Sequence, residues 1–237
     1  MIEKYYNGVI EQVAGGIGNV EHNSILVRYS NDFSIWDLES VNHYKDQTDI
    51  FFTCHEFSYN KIAEAYEPYL GLIRQMFHKY CSGTLEEFME ECDVYKLQRP
   101  VFESYFENGF CERTEQILID EVEYEQERMR NSIVTMLQKL SEIRPVVIVL
   151  NRFQLASKST MQLTNRLLQT KNKNIGIVLG VNDVQSIPNL HMKSGMQSVR
   201  VWMTGTWCTI SEMQAGTWNR MSWTITLIMR VTMAIGN

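Results

Sequence analysis

Three places in the chain put polar side chains where an apolar run stops. In "RPVVIVLNRFQLASKSTMQLTNRLL" (144–168), Val146 to Leu150 run into Asn151 and Arg152. In "ILVRYSNDFSIWDL" (25–38), an apolar start gives way to Tyr29, Asp32, Ser34, Ile35 and Trp36. In "NIGIVLGVNDVQ" (174–185), the run ends at Asn182 and Asp183. Buried parallel strands deliver such termini to one edge of a sheet, the place where phosphate chemistry is done. That chemistry has three needs: a glycine-rich turn with a lysine to cradle phosphates, a strand ending in carboxylates to hold Mg²⁺, and a later strand ending in a polar group that senses the γ-phosphate.

Other candidate sites are weaker. "GGIG" (15–18) lies before the first strand and has no lysine after it, so it reads as a helix-ending loop. Cys54, His55 and Glu56 combine a thiol, an imidazole and a carboxylate, but consecutive residues of a strand point different ways. His22, His43, His78 and His191 are isolated, and no second His or Cys stands at metal-ligand spacing. No G-x-S-x-G elbow is present for a hydrolase. No metal site is expected.

Helices must carry the three strand ends into place. Tyr6, Val9, Ile10 and Val13 predict an amphipathic helix over 3–14. Strands are expected at 24–29, 49–57, 146–150 and 174–183, and a brief helix at 37–44. Ala65, Tyr69, Leu72, Ile73, Met76 and Phe77 recur at helical spacing through 62–80, with Pro68 marking a kink or a start. Thr84 and Glu87 form a capping-box pattern opening a helix over 84–92. A long helix is expected over 114–143, with Ile117, Ile119, Val122, Met129, Ile133, Met136, Leu137 and Leu140 as its stripe and "DEVEYEQE" as its solvated face. A last helix follows from 159 to 170. Apolar runs without alternation, separated by helices, predict an α/β fold with a mainly parallel sheet covered on both faces.

Composition bounds the rest. The 237 residues suffice for one sizeable domain or one plus part of a second. A formal charge of −6 gives no reason to expect nucleic acid or an anionic membrane. Cys54, Cys81, Cys92, Cys111 and Cys208 are odd in number and widely spread, which fits reduced thiols in a cytoplasmic protein. The N-terminus mixes charges into its apolar positions, unlike a signal peptide. "WTITLIMRVTMAIG" (223–236) is too short and too polar to span a bilayer.

Order and spacing over about residues 1–187 resemble the STAND branch of AAA-like P-loop ATPases, modules of large bacterial signalling and transcription regulators. "VVIVLNRFQLASKSTMQLTNRLL" is similar to the Walker B strand and following helix of that family, with Asn151 and Arg152 in place of its two acids, Gln154 in place of His, Leu155 in place of Trp and Ser157 in place of the last acid. "FFTCHEFSYNKIAEAYEPYLGLIRQMF" (51–77) is similar to the second strand and its Tyr-x-Pro helix, here Tyr66 and Pro68. Asn182 stands at the sensor position. The resemblance implies a P-loop NTPase-like three-layer sandwich, incomplete at its C-terminal end. The Walker A equivalent has Tyr29, Asp32 and Ser34 at the glycine positions, Ile35 for Lys and Trp36 for Ser/Thr. Losing that lysine, the hydroxyl and both acids argues against ATP hydrolysis. The implied function is a catalytically inactive scaffold with protein partners or further domains and no cofactor. The alternatives are a switch that binds ATP and Mg²⁺ through atypical groups such as Ser34 and Trp36, and a truncated gene product with no function of its own.

The expected organisation is a helix and loop over 1–23, the ATPase-like domain over 24–190 and an atypical tail over 191–237. The tail holds seven of the 13 methionines and four of the five tryptophans. Its four basic residues against Glu212 give it +3, leaving −9 for the rest. Met and Trp each have a single codon, so their joint excess points to out-of-frame or otherwise non-native sequence. The competing reading is a tryptophan-rich β segment starting at "SVRVWM" (198–203). Translation of the coding DNA in the other two frames is expected to yield an ordinary globular continuation from about codon 191. If neither frame does, the out-of-frame reading fails.

Overall fold

A computed structural model describes residues 2–18, 24–29, 34–45, 49–61, 63–109, 122–170, 172–182, 199–203 and 206–210. Its most enclosed strand is β3, Val146–Asn151, in which all six residues are buried. A strand covered on both faces has no use for alternation, which is why its sequence is one unbroken aliphatic run. The neighbours of β3 are β2 (Phe51–Glu56) and β4 (Ile175–Asn182), and β1 (Ser24–Tyr29) lies beyond β4. All three pairings are parallel, running from Phe51↔Val146 to Glu56↔Asn151, from Val146↔Ile175, and from Ser24↔Ile177 to Tyr29↔Asn182. Past β1 the sheet continues antiparallel through β5 (Val199–Met203) and β6 (Thr206–Ile210). Strands β5 and β6 thus lie in the segment that the competing reading of the tail takes as β structure; the remaining residues of the tail lie outside the described ones.

Helices cover both faces, giving the expected three-layer α/β architecture. On the first face α1 (Ile2–Gly16) and α2 (Glu39–Lys45), with Leu38 just before α2, pack Tyr6, Val9, Ile10, Val13, Leu38 and Val41 onto Ile25, Val27, Val147, Val149 and Val178. On the second face lie α3 (Tyr69–Tyr80), α4 (Leu85–Glu91), α5 (Arg99–Asn108), α6 (Val122–Ile143) and α7 (Lys158–Gln169), packed on Val146, Ile148, Leu150, Ile177 and Leu179. No described helix is long and apolar enough to cross a membrane.

Most elements fall where the sequence places them, with instructive shifts. Pro68 is the residue before α3, so it marks a start and not a kink. The capping box of α4 is present, Glu87 N–H donating to Thr84 Oγ1 at 3.2 Å and Thr84 N–H to Glu87 Oε2 at 2.9 Å. The long helix is described from Val122 onward, so Ile117 and Ile119 lie outside the described residues. Helix α5 is absent from the sequence reading because its buried stripe is only Phe102 and Phe106 amid polar residues. Pro100 in its first turn and Gly109 at its end (φ +81°) mark its limits. Gly15 and Gly16 belong to α1, and the turn expected at "GGIG" comes at Gly18, φ +82°.

One glycine inside the sheet sets how closely α1 approaches. A Cβ on Gly180 of β4 would strike the Tyr6 hydroxyl and lie 2.6 Å from Asn151 Oδ1 and 3.3 Å from Tyr29 Cε1. Gly180→Ala is therefore expected to destabilise the fold by about 1–3 kcal/mol, the usual cost of overpacking. Tyr6→Phe, which removes the first obstacle, is expected to recover part of that loss in the double variant. Urea unfolding of the two single variants and the double checks this; strict additivity would place the obstacle elsewhere.

Candidate functional site

The candidate site is the edge where the parallel strands end. Strand β1 leads to α2 on the first face, whereas β2 and β3 lead to helices on the second. Loops leaving in opposite directions open a crevice at the carboxyl ends, the usual ligand position in such sheets. Because β4 pairs with both β1 and β3, Tyr29, Asn151 and Asn182 end neighbouring strands. Topology thus brings the three sequence-predicted strand ends together.

The charged groups that meet there engage one another. Glu56, the last residue of β2, is only 10% exposed in its side chain. Its Oε1 lies 2.9 Å from Arg152 NH1, and its Oε2 accepts from the Ile35 N–H at 3.1 Å and from Ser34 Oγ at 3.3 Å. Ser34 also accepts from the Trp36 N–H and precedes the 3-10 turn Ile35–Asp37. The loop after β1 is thereby tied to the ends of β2 and β3. Arg152 has left-handed backbone, φ +53°, where β3 gives way to the turn Phe153–Leu155. Trp36 is 46% exposed, with the Lys45 ammonium 4.5 Å above its ring.

The other half of the edge is polar but uncharged. Asn151 is fully buried, and its Oδ1 accepts from the Tyr29 hydroxyl at 2.6 Å. Its amide nitrogen has no acceptor among the described residues. The Tyr6 ring lies edge-on to Tyr29, centroids 6.4 Å apart. Burial, then the proximity of Tyr29 and Glu56, holds the Tyr6 phenol well above its ordinary range, so it stays protonated and offers no base. Asn182 is buried, and Gln154 clasps its backbone: the Asn182 N–H donates to Gln154 Oε1 at 3.2 Å, and Gln154 Nε2 donates to the Asn182 carbonyl at 3.3 Å.

The Cys54-His55-Glu56 run separates as strand geometry requires. Cys54 packs toward the first face, and burial pushes its thiol up to about 11. His55 Nε2 lies 3.9 Å from Glu67 Oε1, beyond hydrogen-bond reach, while Lys61 holds that same oxygen at 3.1 Å. Burial lowers the His55 pKa against the pull of Glu67. Among the described residues, no group of three or more His, Cys, Asp or Glu is placed to hold a metal ion.

Sequence reasoning placed Ser34, Ile35, Asn151, Arg152 and Asn182 at this edge but missed Glu56, on which three of the contacts converge, and the plug formed by Tyr6. The signal for Glu56 was Arg152 itself, since a cation at the end of a buried strand needs a counter-charge. Arg152→Ala leaves the Glu56 carboxylate with two weaker donors and is expected to cost about 2–4 kcal/mol, near the range for breaking a buried pair. Adding Glu56→Gln to that variant is expected to restore at least about 1 kcal/mol. Urea unfolding across the double-mutant cycle measures both; single changes each costing less than about 0.5 kcal/mol would show that the pair holds nothing in place.

No protein-family model, curated protein or solved structure matches the chain.

Proposed function

We propose that the chain is a catalytically inactive P-loop ATPase-like domain, serving as a scaffold or protein-interaction module of a bacterial signalling or transcription regulator. One observation carries the reading: Glu56 occupies the donors at the Walker A-like and Walker B-like positions. Its carboxylate takes the Ser34 hydroxyl, the Ile35 N–H and the Arg152 guanidinium. A triphosphate entering there would have to displace a carboxylate and then lie beside it. Asn151, at the position of the first acid, carries no charge for Mg²⁺, and its oxygen is already engaged by Tyr29. The arrangement of strand ends supports the ancestry, and the internal pairing supports the loss of chemistry. Such a domain would need no cofactor and would work in the cytoplasm through protein partners or further domains.

Titration of the full chain with a fluorescent ATP analogue, with and without Mg²⁺, separates this reading from its rival. No saturable binding is expected up to about 1 mM. Saturable micromolar binding that disappears in Ser34→Ala or Trp36→Ala would instead establish an ATP-binding switch built on atypical phosphate-binding residues.

A further inference from the structure

The helical layer on the second face carries a surface that takes no part in the contacts of Glu56. Three large side chains stand out of it: Tyr95 (40% exposed), Leu97 (72%) and Tyr124 (68%). Tyr124 lies one turn before Arg128 on the same face of α6, and the Arg128 guanidinium lies 4.3 Å above the Tyr95 ring. Leu97 sits in the 3-10 turn Lys96–Gln98, which Gln98 pins to α6. The Gln98 Nε2 donates to the Glu125 carbonyl at 3.1 Å, and its Oε1 accepts from Ser132 Oγ at 3.1 Å. A buried glutamine thus fixes the turn that carries Leu97 out into water. A lone exposed leucine is ordinary, but two tyrosines and an arginine grouped around one have the composition of an interface centre.

The charge around this cluster is predominantly of one sign. Residues 85–108 and 122–131 hold ten acidic and four basic side chains, a net −6 equal to that of the whole chain. Three of the four bases are already held by acids of the same layer: Arg99 by Glu90 at 3.5 Å, Arg128 by Glu125 at 2.7 Å and Arg130 by Glu127 at 2.7 Å. Lys96 is the fourth. Cations that reach the layer from elsewhere are engaged as well: Arg166 with Glu127 at 3.8 Å, Lys139 with Glu142 at 4.0 Å, and Arg74 with the carbonyls of Phe106 and Glu107. Exposed acids remain about the cluster, Asp93 two positions before Tyr95 and Glu123 next to Tyr124. We propose that Tyr95, Leu97 and Tyr124, with these acids, dock a cationic amphipathic segment of a partner protein. Its apolar side chains would seat on the tyrosines and the leucine, and its lysines or arginines would meet the acidic rim. The same charge repels nucleic acid, an anionic membrane and a second copy of this face. This surface gives the interaction-module reading a partner chemistry and rests on that reading. A peptide titration and the ATP titration fail separately, because the two use different residues.

Fluorescence anisotropy of a labelled synthetic amphipathic helix of leucine and lysine, titrated with the full chain, tests the docking. A peptide with glutamate in place of lysine is the control. Saturable binding of the lysine peptide is expected, weakening at least about tenfold between about 50 and 300 mM salt, with none for the glutamate peptide. Leu97→Ser and Tyr124→Ser are each expected to weaken it at least about fivefold, and so is Asp93→Asn combined with Glu123→Gln. Asparagine suits the left-handed backbone of Asp93, φ +51°. Glu3→Gln with Glu11→Gln removes as much charge from α1, on the other face, and is expected to leave the affinity within about twofold. Far-UV circular dichroism and the melting temperature report whether each variant stays folded, and Tyr124→Ser serves if Leu97→Ser does not. A lysine peptide that fails to bind overturns the proposal. So does binding that the α1 pair weakens as much as the surface variants, which is attraction to net charge alone, and so does a glutamate peptide that binds equally well. Sedimentation covers the remaining occupant: a dimer that Leu97→Ser disrupts would assign the face to a second copy and overturn the cationic partner.

Discussion

A carboxylate taken almost wholly out of water must find donors or give up its charge, and at Glu56 that need organises one end of the molecule. The side chain sits at the end of an edge strand with 10% of its surface exposed. Arg152 answers it from the next strand, and Ser34 with the Ile35 N–H answers it from the loop after β1, on the far side of the sheet order. Three segments distant in sequence are thus held by two oxygens. The same demand selects Arg152: a guanidinium is always charged and has several donors, so it can hold a carboxylate without being neutralised itself.

Alongside this charged knot, the neighbouring strand ends are neutral by construction. Tyr6 and Tyr29 are both fully buried, and their rings take up space over β1 and β4. Asn151 converts the position of an acid into one that only accepts and donates hydrogen bonds. Among the described residues at these strand ends, the charges of Glu56 and Arg152 are spent on each other.

How much of this was legible in the sequence depends on the range of the interaction. Strands β3 and β4 announce themselves because burial on both faces removes polar residues from the run, whereas β1 alternates half-buried and buried positions and is legible only as a short apolar stretch. Helix α1 is legible through Tyr6, Val9, Ile10 and Val13, which recur on one face and are all buried. Helix α5 is not, since Phe102 and Phe106 alone cannot show a period. The strand ends at Asn151 and Asn182 could be placed from their own runs, but the partner of Arg152 could not. Glu56 becomes that partner only because β2 lies beside β3, and adjacency of strands is not written in either strand alone. Tyr6 is a similar case: its pattern predicts burial, yet only the missing side chain of Gly180 explains how its hydroxyl reaches the strand ends.

The clasp of Gln154 on Asn182 also bears on the order in which the chain can assemble. Strands β3 and β4 pair through partners such as Val146 and Ile175, whereas β1 and β4 pair through Ser24 and Ile177, a far longer excursion of the chain. Closing the longer loop costs about 1.5 kcal/mol more in entropy. The β3–α7–β4 unit is accordingly the cheapest parallel pair to close, and Gln154, bonding both the N–H and the carbonyl of Asn182, latches it at its far end. A finished β4 then offers β1 a fixed strand to join. One glutamine amide, acting like a single residue of extra strand, so favours local closure before the N-terminal segment docks.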